Sequence, residues 1–296
     1  MSSFFRGHRR RGSYDLFSSY NHFVPGWGDS LALGGLFILG SIIGGAIMAG
    51  MKATIGQSLA SEYGVLIIYP VTFIPAMLYA SVRSRLNEHR IDAAPLDKRL
   101  CGIKGSSLIV LACILATIAT AYIVEPIGKL LPEMPQDMKD IMEQLLNGMP
   151  LWATLLCVSV FAPFFEELLC RGFILRGLLH KTSPVVAIGV SALFFALIHG
   201  NVWQAIPAFT LGALFGYVYC KTGSLKLTIL MHCVNNTLAA CMSKVPQFKD
   251  AETFMDVLSP WAYWSIYAAC ILILLSSLVI LKRVQQPQDC QVCQHQ

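Results

Sequence analysis

The sequence predicts an all-α fold, a polytopic membrane bundle of about eight transmembrane helices with both termini on the cytoplasmic side. Composition, the length of the apolar runs and the placement of basic residues each point there. Of the 296 residues 55% are hydrophobic and only 13% charged, and the mean hydropathy is +0.59. This lies far from the balance of a soluble domain. The apolar runs approach the roughly 20 residues that cross a bilayer as a helix. They fall at Leu31 to Gly50, Gly64 to Val82, Ser106 to Val124, Leu151 to Cys170, Pro184 to Ile198, Trp203 to Cys220, Ser224 to Met242 and Trp261 to Leu281.

Orientation follows from lysine and arginine, because short basic segments stay cytoplasmic. With the N-terminus inside, the inner side collects most of the 22 basic residues. These are Arg6, Arg9, Arg10 and Arg11, then Arg83, Arg85, Arg90, Lys98, Arg99 and Lys104, then Arg171, Arg176 and Lys181, then Lys221 and Lys226, and finally Lys282 and Arg283. The outer loops gather Glu133, Asp137, Asp140, Glu143, Asp250, Glu252 and Asp256. The net charge of +5 is thereby a topology signal suited to anionic membrane lipids. It is no nucleic-acid footprint, and no nucleic-acid partner is expected. The N-terminal stretch lacks a signal-peptide core and cleavage pattern, so the first span is read as retained.

One membrane domain is expected over 31–282, with a motif-bearing core at 151–242. A cytoplasmic segment precedes it at 1–30 and a cytoplasmic tail follows at 283–296. The chain is read as integral and multi-pass in a plasma or inner membrane. Cys113, Cys157, Cys170, Cys233, Cys241 and Cys270 fall within spans and act there as small apolar residues. Cys290, Cys293 and His295 sit in a polar tail without a fourth ligand and are not read as a metal site. In the outer loop, Met138, Ile141, Met142, Leu145 and Leu146 recur at helical spacing and predict a helix lying on the membrane surface.

The stretch FAPFFEELLCRGFILRGL, Phe161 to Leu178, places two glutamates and an arginine where an uncompensated carboxylate costs about 2.5–3.5 kcal/mol. Helix geometry separates the two acids. Glu167 stands four residues before Arg171, the favoured order for an ion pair along one face. Glu166 has no local cation. A turn centred between Thr182 and Ser183 folds this segment back on the next, and Glu166 and His199 lie equally far from it in antiparallel register. In the seventh span His232 and Asn236 share a face, four residues apart. Buried polar groups on three spans each need partners away from water, and convergence on one cavity satisfies them together. For Glu166 and His232 to meet, the end of the first hairpin must protrude about 10 Å beyond the lipid, at 1.5 Å rise per residue. That depth also puts the non-helical His199-Gly200-Asn201 inside the membrane, lining the cavity.

A carboxylate beside a histidine can take a proton from water, and a histidine with an asparagine amide can donate to an oxyanion. The combination suits hydrolysis of an acyl or peptide bond. The sequence has no His-Glu-x-x-His, no aspartate within a span and no Gly-x-Ser-x-Gly. Zinc held by Glu166, His199 and His232 stays open, as do a packing role in a non-catalytic immunity or scaffold protein and a transporter.

The three motifs, Glu166-Glu167-Leu-Leu-Cys-Arg171, Phe195-Ala-Leu-Ile-His199 and His232-Cys-Val-Asn-Asn236, resemble those of the CAAX protease and bacteriocin-processing intramembrane proteases, related to the Ras-converting CAAX endopeptidase. The resemblance covers about Leu151 to Met242 and keeps the family's motif order. It implies a glutamate-type endopeptidase acting on membrane-associated peptide or protein substrates, without a resident cofactor, although zinc has also been proposed for the family. Glu166 would activate water with help from His199, His232 and Asn236 would stabilise the oxyanion, and Glu167 and Arg171 would support them. The oligomeric state is not legible.

Overall fold

The computed structural model describes residues 16–98, 105–248, 251 and 253–284. The expectations for Arg6, Arg9, Arg10, Arg11, Arg99, Lys104, Lys249, Asp250, Glu252 and the Cys290–His295 tail fall outside them. All eight expected spans are helices, and no strand occurs among the described residues. They are α1 (Trp27–Ile55), α2 (Gln57–Asn87), α3 (Ser106–Val124), α5 (Leu151–Leu179), α6 (Pro184–Leu197), α7 (Val202–Thr222), α8 (Leu225–Met242) and α9 (Pro260–Lys282), with α4 (Gln136–Asn147) in the outer loop. Five of these, α1, α2, α3, α5 and α9, are long and apolar enough to cross a membrane by themselves. Helix α6 has 14 residues, about 21 Å of rise against a hydrocarbon core of about 30 Å. It ends at Leu197 because His199 and Gly200, the latter at φ +71°, break the helix before Asn201 caps α7. The non-helical step expected at His199-Gly200-Asn201 is thus present. The chain is an integral, multi-pass helical bundle.

Helix α5 is the axle. Its most apolar stretch is 61% buried, against 17–22% for α1, α2 and α9, and it packs on α2, α6 and α8. Such burial lets one helix carry charged groups that a lipid-facing helix cannot. Pro163 does not end it. The backbone widens to i→i+5 turns over Leu155–Phe161 and again over Leu168–Leu175, flanking Ala162–Glu167. In that wide register the Ala162 N–H bonds the Cys157 carbonyl, so the next donor, for the Val158 carbonyl, falls at Pro163, which has no N–H. Widened turns of this kind frequently mark functional segments.

The basic end of the bundle is stitched by buried Arg176, which donates to the carbonyls of Ala94 and Phe23. Beside it Lys98 N–H bonds the Gly223 carbonyl (2.8 Å), Tyr219 OH bonds the Leu96 carbonyl (2.8 Å) and Asp97 accepts from Ser224 Oγ (3.0 Å) and Lys226. The last turns of α5 pack with Phe17, Phe23 and Leu96. At the opposite end α4 bridges two helices: Gln144 donates to the Ser61 carbonyl (3.4 Å) and Lys244 to that of Leu146 (2.7 Å), while Leu145 packs on Met149, Ala153 and Cys157.

Helices α1 and α2 approach so closely that a Cβ on Gly40 would stand 1.9 Å from the Thr72 carbonyl oxygen. Gly40→Ala is expected to force the pair apart and destabilise the protein by about 1–3 kcal/mol, read as a lowered Tm, whereas Gly45→Ala, with open space at its Cβ, leaves Tm unchanged.

Candidate active site

The polar groups singled out on α5 and α8 meet between those helices. Glu167 and Arg171 are both fully buried and paired at 2.7 Å, in the i, i+4 relation read from the sequence. The guanidinium also donates to the Gly212 carbonyl on α7 (2.9 Å) and lies over the rings of Phe195 (4.4 Å) and Phe215 (5.5 Å). Gly212 matters here, since a Cβ would sit 3.1 Å from Arg171 Nη2. The arginine thus has a carboxylate, a carbonyl and two aromatic faces to replace its hydration.

Glu167 reaches further than the pair predicted for it. Its Oε1 also accepts from His232 Nδ1 at 3.1 Å. A carboxylate only accepts, so Nδ1 carries the proton and Nε2 is turned away from Glu167. It faces Glu166, with Nε2 3.9 Å from Oε2. Glu166 is 6% exposed and His232 4%. The other Glu166 oxygen, Oε1, accepts from the hydroxyl of Tyr69 on α2, while Oε2 is buried without a hydrogen-bond partner among the described residues.

Asn236 lies one turn along α8 from His232, as its spacing requires, and donates Nδ2 to the Val158 carbonyl (2.7 Å). The amide takes the place of the N–H that Pro163 lacks. Its neighbour Asn235 donates to Asn236 Oδ1 (3.1 Å) and so orients that amide. His199 stands level with this region but one ring away. Its Nδ1 donates to the Phe195 carbonyl (2.7 Å), which leaves Nε2 as the free nitrogen, and its ring and that of His232 both meet Phe195 edge to face, at 5.1 and 5.3 Å between centroids. Glu166, Glu167, Arg171 and His232 thus form one contiguous cluster with Asn236 beside it. His199 joins it through Phe195 and not through a hydrogen bond to Glu166.

Tyr69, Gly212 and Asn235 escaped the sequence reading. A tyrosine in an apolar span does carry a signal, because a buried hydroxyl usually needs a partner. Glu166, His199 and His232, the candidate zinc set, do not gather at metal-ligand spacing, and no cluster of three such side chains does among the described residues.

Fold and site together define a multi-pass membrane protein with an acid–imidazole centre buried between its helices. Residues 148–238 match the family described as type II CAAX prenyl endopeptidase Rce1-like, over the segment that holds all three motifs. The chain is similar to "Putative membrane peptidase YdiL" of Bacillus subtilis (strain 168), 26% identical over 88 residues, 30% of this chain and 36% of that protein. It is also similar to UPF0177 protein YxdF of Lactococcus lactis subsp. lactis (strain IL1403), 26% identical over 118 residues, 40% of this chain and 62% of that protein. The matches thus span about a third and about three fifths of those relatives. No solved structure matches this chain.

Proposed function

We propose that the protein is an intramembrane endopeptidase that hydrolyses peptide bonds of membrane-associated peptides or proteins, with Glu166 as the base that activates water. One observation carries the reading. Glu166 Oε2 is a buried carboxylate oxygen with no hydrogen-bond partner among the described residues, 3.9 Å from His232 Nε2. A water within about 2.8 Å of each atom fits that separation. Glu166 takes the proton as the water oxygen attacks the scissile carbonyl, and returns it to the leaving amine. His199, its Nδ1 held by the Phe195 carbonyl, acts through the Phe195 ring that it shares with His232 and not by direct proton transfer with Glu166. The oxyanion is received by the remaining Asn236 amide hydrogen and by His232, whose ring is kept in orientation by Glu167. Arg171 stabilises Glu167 and does not touch the substrate.

The Rce1-like match supports a carboxy-terminal CAAX-type or peptide-maturation substrate, approaching from the lipid with its anchor in the bilayer. The test uses the full chain in anionic liposomes with internally quenched peptides: one ending in a prenylated CAAX sequence, one with an unprenylated membrane anchor and one soluble. Cleavage of an anchored peptide, unaffected by a zinc chelator, is expected. Cutting of none of them would overturn the endopeptidase reading, and chelator sensitivity would overturn the glutamate mechanism.

A further inference from the structure

We infer that Tyr69 is a positioning residue for Glu166: its hydroxyl holds Oε1 so that Oε2 remains the proton-accepting oxygen beside His232. The inference rests on the function proposed above and deepens it. Tyr69 belongs to α2, outside the Rce1-like segment at 148–238, so the flanking pair of helices contributes to a site whose other groups all lie within that segment.

The geometry distinguishes the two carboxylate oxygens. Oε1 receives the phenol hydrogen, and Oε2 receives none among the described residues. A carboxylate with one oxygen occupied presents its free lone pairs in one direction, set by the donor. The Glu166 side chain has three rotatable bonds, and its own helix supplies no cation to hold it, because Arg171 is committed to Glu167 and Gly212. Tyr69 is itself fixed. Its ring lies 5.6 Å from that of Phe73, which stacks on Phe165 at 5.4 Å, the residue before Glu166. Val65, Leu66 and Tyr69 of α2 pack with Val158 of α5 against Met149, Ala153 and Cys157. The titratable and charged groups around Glu166 are Tyr69 from α2, His232 from α8, and Cys157, Glu167, Cys170 and Arg171 from its own helix. Of the hydroxyl, imidazole and guanidinium donors in that set, Tyr69 is the one hydrogen-bonded to Glu166.

A hydrogen bond to the charged form favours that form. Tyr69→Phe, which keeps the ring and its packing, is therefore expected to lower kcat about ten- to a hundredfold with KM unchanged. The acid limb of the pH–rate profile should move to higher pH, measured on the anchored peptide that the wild type cleaves. A readout independent of turnover accompanies it. The carboxyl stretching band of Glu166, identified in the full chain in liposomes by subtracting the spectrum of Glu166→Gln, should shift in frequency in Tyr69→Phe. An unmoved band and acid limb overturn the inference, even where Glu166→Gln is inactive and the glutamate reading stands. An activity loss equal at all pH values, with a lowered Tm and an unmoved band, also overturns it by making Tyr69 a packing residue. If Glu166→Gln is fully active, the proposed function fails while the spectroscopic test of the Tyr69 contact still gives its own answer.

Discussion

Glu166→Gln is expected to abolish peptide cleavage, by a factor of about 10² to 10⁴ or to the limit of detection, in a protein that folds and purifies like the wild type. The amide preserves the length and shape of the side chain and still accepts from Tyr69, so the contact to α2 survives. What it loses is the basic oxygen beside His232 Nε2. Because a buried carboxylate is exchanged for a neutral group, Tm should stay level or rise. A variant that is inactive yet at least as stable as wild type separates a catalytic base from a packing residue. Retention of full activity in liposomes would remove the glutamate mechanism.

Arg171→Met is expected to produce the largest loss of stability, about 3–5 kcal/mol. Methionine fills much of the arginine's space between Phe195 and Phe215 but leaves Glu167 fully buried opposite no cation and the Gly212 carbonyl without its donor. Among the described residues, His232 alone then remains as partner of the Glu167 oxygen that both had shared. The double variant Glu167→Gln, Arg171→Met removes the uncompensated charge and should recover part of the loss in Tm, though not activity, since His232 then has an amide in place of a carboxylate as its orienting acceptor. If the double variant is no more stable than Arg171→Met, the ion pair is not what the arginine contributes.

Much of this site could be read from the letters because it depends on helical arithmetic. Glu167 with Arg171, and His232 with Asn236, need only a spacing of four. The alignment of α5 with α6 needs only the Thr182-Ser183 turn, where Ser183 caps α6 by accepting from the Val186 N–H. What was not legible depends on how non-adjacent helices approach. Nothing local tells which tyrosine of α2 faces Glu166, because that is fixed by the closeness of α1 to α2 at Gly40 and by the packing of α2 on α5. The second role of Glu167 was missed because a satisfied ion pair gives no hint that the same oxygen has another donor. His199 was read as level with Glu166, and its ring meets that of Phe195, which also meets His232. Widened turns carry α5 through Pro163.

That widening has a further consequence. The Val158 carbonyl depends on Asn236 only because residue 163 is a proline. A relative with an ordinary amino acid at the position of Pro163 would close this helical rung with its own backbone and release the asparagine from structural duty. The two positions should therefore vary together across homologous chains, and a relative that breaks the pairing would reveal how much of the asparagine's value is architectural and how much is chemical.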